Sequence, residues 1–190
     1  MLRILKFGCV VVGCLGLTNS MASSQEVVHA MTGTVRSIDA AHNTFTLWRD
    51  NGSQVTFKST APAKVHIAND KRILSDATAA SVFNKKGAYV IVFYFGESDN
   101  PTAVALQALG QGPLTSTTGK VASFDERARL ISVQDTSGSI QRYKIDADTV
   151  AESGFGVVEG LRLHVEKGDH VRVVGAASKS GPTALFINVT

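Results

Sequence analysis

A chain of 190 residues with 44% apolar and 18% charged residues has the apolar content for packed cores, which excludes an intrinsically disordered protein. Its formal net charge of +3 falls to +1 once the two N-terminal cations Arg3 and Lys6 are set aside, so the rest gives no electrostatic case for nucleic acid. Both cysteines, Cys9 and Cys14, lie near the N-terminus, which excludes thiol catalysis, a cysteine-ligated metal and a disulfide from the remainder.

Arg3 and Lys6 precede an uncharged apolar run at residues 7–17, and the small residues Ser20 and Ala22 stand at positions −3 and −1 of a cut after Ala22. This is the layout of a secretory signal over residues 1–22. The run is too short to cross a bilayer, which takes about 20 residues. Val11-Val12-Gly13-Cys14 offers a second route, a lipobox in which Cys14 is lipidated and becomes the N-terminus. The apolar run continues past Cys14 through residues 15–17, which favours the ordinary cut. The expected location is the periplasm or the exterior, with a lipid anchor in the cell envelope as the alternative.

The next elements read as short strands rich in Val, Thr and aromatic residues, at 31–39, 44–49, 54–58, 88–95 and 102–109. Asn51-Gly52 marks a hairpin between the second and third, because both residues accept positive φ. Ser75-Asp76 followed by Ala77, Thr78, Ala79, Ala80 and Val82 predicts a short capped helix over 75–82. Residues 110–117, Gly-Gln-Gly-Pro-Leu-Thr-Ser-Thr, read as a linker. Strands then recur at 118–125, 130–135, 140–145, 169–175 and 183–189, with Ser137-Gly138 at the hairpin and a Gly-rich, less decided stretch at 153–160.

The recurrence is a duplication. Thr32-Gly33-Thr34-Val35-Arg36-Ser37-Ile38-Asp39 aligns with Thr118-Gly119-Lys120-Val121-Ala122-Ser123-Phe124-Asp125 at an offset of 86. Carried to Lys58, the alignment holds eight identities in 27 positions, where chance gives about two. Gly87, Val90 and Val92 then match Gly168, Val171 and Val173 at an offset of 81, as does Pro101-Thr102-Ala103 with Pro182-Thr183-Ala184. The expected fold is all-β with one short helix: two tandem five-stranded OB-like barrels at 27–109 and 118–190.

The pattern Gly119-Lys120-Val121-Ala122-Ser123-Phe124-Asp125 with Gly168-Asp169-His170-Val171-Arg172-Val173 resembles a family of bacterial exported domains of unknown function. The first unit departs at Gly87-Ala88-Tyr89-Val90, where the Asp is missing. The resemblance implies OB-like barrels in the envelope and no particular activity. The layout is also similar to small periplasmic copper and silver chaperones, whose ligands are a His, two Met and a Trp. Here Trp48 has no Met near it, and Met31 alone is retained after the cut, so the soft thioether set is missing.

His29, His42, His66, His164 and His170 show no ligand spacing, and none repeats between the units. Asp39 and Asp125 read as turn caps, as does Asp146 before Thr149. Lys71-Arg72, Lys85-Lys86 and the turn residues Arg127 and Arg129 read as solvated surface. No nucleophile elbow or phosphate loop is visible, and no cofactor is implied. Strand parity points elsewhere. Val171 and Val173 face one way and His170 and Arg172 the other, so Val90 and Val92 belong to the core of the first unit. Tyr89, Ile91, Phe93 and Phe95 then face outward, joined by Trp48 where the second unit has Gln134. This aromatic face is either buried against the second barrel, the 75–82 helix or a second copy, or it binds an envelope protein, glycan or hydrophobic ligand. The functional expectation is a non-catalytic exported binding or adaptor module. A periplasmic metal-binding protein using His42, His66 or His170, and an enzyme with an unrecognised site, are the alternatives.

Overall fold

The computed structural model describes residues 27–60, 76–97, 99–110, 114–178 and 181–190. The signal segment, both cysteines, His66 and Ser75 lie outside the described residues. Strands β1 (His29–Asp39), β2 (Thr44–Arg49), β3 (Gln54–Ser59), β4 (Thr78–Ala79), β5 (Tyr89–Phe95) and β6 (Thr102–Ala108) form one sheet in the order β3-β2-β1-β5-β6-β4. A parallel β3–β6 pairing closes it. Strands β7 (Leu114–Asp125), β8 (Leu130–Asp135), β9 (Ile140–Lys144), β10 (Val150–Ser153), β11 (Gly156–Glu159), β12 (His170–Ala176) and β13 (Thr183–Val189) repeat the plan in the order β11-β10-β13-β12-β7-β8-β9. Here a parallel β9–β13 contact closes the sheet. In each barrel the long first strand pairs with both the second and the fourth long strands, and the third meets the fifth, which is the OB order.

The duplicated residues hold duplicated geometry. β1 carries a bulge between Val35 and Ser37, and β7 carries it between Val121 and Ser123. A bulge adds local bend and twist, which a small barrel needs to close. A Cβ at Gly33 would come within 2.5 Å of the Trp48 carbonyl oxygen, and one at Gly119 would overlap that of Gln134 still more closely. Glycine is required where the paired strands cross this tightly. The Asp39 carboxylate accepts from the N–H groups of Ala41 and His42, and that of Asp125 from Ala128. Asp146 accepts from the Asp148 N–H and from the Thr149 hydroxyl. Parity holds on the core side too. Val35, Phe45, Leu47, Phe57, Val90 and Val92 fill the first barrel; Val121, Ile131, Val133, Tyr143, Val171 and Val173 fill the second.

Four local expectations change. The 75–82 helix is absent among the described residues: Thr78 and Ala79 pair with Leu106 and Ala105 of β6, and only a 3₁₀ turn at Ala80–Val82 follows. Tertiary pairing and the burial of Phe83 override the helix propensity of the alanines. At the first hairpin only Gly52 has positive φ, because Gly52 N–H donates to the Arg49 carbonyl and Arg49 N–H to that of Ser53. This is a three-residue loop ending in a left-handed glycine, and Asn51 does not take the positive φ that the sequence reading allowed it. The linker is shorter than expected: residues 114–117 belong to β7, where they pair with Val173, Val174, Gly175 and Ala176 of β12. The undecided stretch at 153–160 holds the β10–β11 hairpin and leads to a second 3₁₀ turn, Gly160–Arg162, equivalent to the first.

Candidate functional site

Tyr89, Ile91, Phe93 and Phe95 do face out of the first barrel, but what they meet is the second. Ile91 and Phe93 are 0% exposed. They share one apolar cluster with Val28, Ala30, Val104 and Ala105 of the first barrel and Val150, Val157, Val174 and Phe186 of the second. Tyr89 and Phe95 pack partly buried against it. The aromatic face is therefore an inter-barrel seam, and these four residues do not form an open binding surface. Trp48 alone of the five stays open, at 47%, with the Arg36 guanidinium 4.9 Å from its ring centre. The seam joins equivalent faces. Phe93 and Ala105 of the first copy occupy the positions of Val174 and Phe186 in the second, so large and small residues are exchanged between the halves. Interdigitation of this kind makes a pseudo-twofold contact fit.

Polar groups clamp both ends of the seam. The Glu152 carboxylate lies 2.7 Å from the His29 Nδ1 and accepts from the Ala30 N–H at 2.8 Å, while Val157 N–H donates to the Val28 carbonyl at 3.0 Å. Burial pushes the Glu152 carboxyl above its ordinary value, partly offset by these bonds. At the other end, Arg172 donates to Thr32 Oγ1 at 2.7 Å and to the Asp50 carboxylate, and Tyr89 donates to Asp50 at 2.7 Å. Desolvation raises the Tyr89 hydroxyl, so it stays a neutral donor.

Among the described residues no three His, Cys, Asp or Glu side chains converge as a metal site. His42 is bound to Asp39 through Nδ1 at 2.8 Å, and His170 is exposed at the start of β12. Among the described residues no helix is long and apolar enough to cross a membrane.

A well-formed cleft lies elsewhere, at one end of the second barrel. It has a volume of about 440 Å³ and is bounded by the β7–β8 turn, the end of β9 and the 3₁₀ turn. Ile145 and Leu163 form a buried floor, Phe124 is half-buried beside them, and Leu161 is 41% exposed at the rim. Arg129, Arg162, Glu126 and His164 stand around the mouth, with His164 3.5 Å from Glu126. The first barrel has the same cleft on equivalent residues. Ile38, Ala40, Asn43 and Ser59 stand where the second has Phe124, Glu126, Arg129 and Ile145, and Ser81, Val82, Phe83 and Asn84 where it has Leu161, Arg162, Leu163 and His164. That copy encloses about 190 Å³. The duplication thus supplies an internal control. Among the described residues, one copy of the cleft is small and lined by neutral residues apart from Asp39; the other is larger, with four ionisable side chains at its mouth.

Sequence reasoning placed Arg129 on solvated surface and found no ligand spacing for His164. The signal was the exchange of neutral for charged residues between the copies at Asn43/Arg129 and Val82/Arg162. Phe155 also went unremarked; it is 95% exposed at the tip of the β10–β11 hairpin. The chain matches no family model and shows no significant similarity to a curated protein.

Proposed function

We propose that this protein is a non-catalytic ligand-binding module of the cell envelope that holds a small molecule in the cleft of the second barrel. One observation carries the reading: of two equivalent clefts, as the described residues line them, that of the second barrel is the larger and carries charged side chains at its mouth. Arginine, glutamate and apolar side chains around an open cleft are recognition groups. The first barrel supports that site as a scaffold, since its outward face is consumed in the seam. Export rests on the signal-like segment at 1–22. Mass spectrometry of the mature N-terminus tests it: Ser23 at the start supports ordinary cleavage, lipid on Cys14 supports the anchored form, and an intact Met1 overturns export.

The binding reading is tested by amide NMR of the mature protein titrated with fractionated envelope metabolites. Shifts at Phe124, Arg129, Leu161 and His164 support it. Shifts confined to the first barrel, or none with any fraction, overturn it. The resemblance to exported OB-like domains is consistent with this reading and specifies no ligand.

A second reading has its own observation. Phe155 is an almost fully exposed aromatic on a hairpin tip between Gly154 and Gly156, and it can serve as an anchor for a protein partner. Loss of a co-purifying partner in Phe155→Ser with unchanged folding supports that adaptor role; unchanged co-purification ends it.

A further inference from the structure

We infer that the ligand of the second-barrel cleft is a small amphipathic anion, a carboxylate or phosphate carried on an apolar stem. The inference rests on the binding-module reading and names its substrate class.

The chemistry follows from the lining. Arg129 and Arg162 bring two permanent positive charges to the mouth, against the single carboxylate of Glu126, which already has His164 at 3.5 Å. Guanidinium groups present paired N–H donors that match the two oxygens of a carboxylate or phosphate. Below them the side chains are apolar: Phe124 is half-buried, Ile145 and Leu163 are almost fully buried, and Leu161 continues the apolar surface to the rim. A ligand that satisfies both zones has a charged head at the mouth and an apolar stem directed at the floor. A sugar would leave the floor unmatched. An inorganic anion would leave it empty.

The first copy sharpens the argument by subtraction. It keeps an apolar floor in Ile38 and Phe83 but puts Ala40, Asn43, Val82 and Asn84 where the second has its charges. The copies thus differ in the two arginines that would meet an anionic head, and also in Ile145 and Leu161, apolar where the first copy has Ser59 and Ser81. Backbone strain points to the same place. Arg129 has φ +54°, and its equivalent Asn43 has φ +52°. Asparagine tolerates the left-handed region; for arginine it costs of order 1 kcal/mol. A strained arginine at the mouth is what a selected contact, rather than a solubilising charge, would look like.

The test uses the mature protein and four amphiphiles of equal chain length below their micelle concentrations: octanoate, octyl phosphate, octyl glucoside and octylammonium. Amide NMR locates binding and calorimetry ranks it. Octanoate and octyl phosphate should shift Arg129, Leu161 and Leu163, and should bind about tenfold tighter than octyl glucoside. Arg129→Asn and Arg162→Val, which restore the first-copy residues, should each reduce that preference by about tenfold without changing the folded spectrum. Vesicles of anionic phospholipid separate two sources of the same head group: Arg129-dependent flotation identifies a lipid in a bilayer, and cleft binding of octanoate without flotation identifies a free amphiphile. Equal binding of octyl glucoside or octylammonium in the cleft would overturn the anion and leave the module. No shift at the cleft with any of the four would overturn the amphiphile, and a metabolite fraction that still shifts it would keep the module.

Discussion

Arg172 and Asp50, 122 residues apart in the chain, form an ion pair across the seam, and Arg172 also holds Thr32 and the Tyr89 hydroxyl. The positions are not equivalent in the two copies: the first unit has Ile91 where the second has Arg172. One barrel therefore supplies the apolar half of the contact and the other the polar clamp. Arg172→Ala should destabilise the protein by about 1–2 kcal/mol, since the pair is partly screened by solvent. A double-mutant cycle with Asp50→Ala, read by urea denaturation, should give a coupling of at least about 0.5 kcal/mol. Strict additivity would show that the clamp is not formed in solution.

Phe93 is fully buried between the barrels rather than within one. Phe93→Ala should cost about 3–5 kcal/mol through lost burial and a cavity in the seam. The single tryptophan, Trp48, reports only the first barrel. Tryptophan fluorescence and far-ultraviolet dichroism should follow one transition in the natural protein and separate in Phe93→Ala. Coincident, unshifted transitions in the variant would refute an energetic coupling of the barrels at this seam.

Much of the fold was legible because its signals are local. Period-two alternation assigned Val90 and Val92 inward and Ile91 and Phe93 outward, and both assignments hold. What covers Phe93 was not legible as a single answer, because Val174 and Phe186 come from strands far along the chain. The helix at 75–82 failed for a related reason: the alanines obeyed a β6 edge that local propensity cannot register. The cleft was hidden differently. Arg129, Arg162 and His164 sit on separate turns, and each alone looks like solvated surface. Only their alignment with Asn43, Val82 and Asn84 makes them a set.

Gly119 shows the legible part at its strictest. A methyl group there would meet backbone atoms of Gln134 and Asp135, which cannot swing away. Gly119→Ala should destabilise by about 1–3 kcal/mol, and Gly33→Ala by less, because Leu47 side-chain carbons are among the atoms it meets. Thermal melts of the two variants test the ranking. A neutral Gly119→Ala would mean that β7 and β8 do not cross this closely.

Glu152 gives the seam a pH dependence whose sign is set by burial. Its carboxyl is raised above the ordinary glutamate value, so the charged form is the disfavoured one in the folded state. Its contribution is therefore full below the unfolded value of about 4.3 and is lost as pH rises through the folded value. Acidification from neutral pH should raise this group's share of stability. Exposed Asp39 acts oppositely: its bond with His42 lowers it, so its share is lost as pH falls through that lowered value. Glu152→Gln keeps an acceptor for the Ala30 N–H without the buried charge. Compared with the natural protein, it should gain stability at pH 7 relative to pH 4.5, read as the difference in melting temperature. A pH profile parallel to that of the natural protein would show that Glu152 is solvated.

Arg129 separates the demands of folding from those of binding. Its left-handed backbone is a conformation that asparagine adopts at the equivalent Asn43. On stability alone, Arg129→Asn should be an improvement of about 0.5–1 kcal/mol, because the strain is relieved and nothing buried is lost. If the cleft binds an anion, the same substitution should weaken octanoate binding about tenfold. Opposite signs for stability and affinity are the mark of a residue kept for a site. A variant that loses both would make Arg129 a structural residue whose contacts outweigh its strain. One that gains stability and keeps its affinity would overturn Arg129 as a contact for the anion.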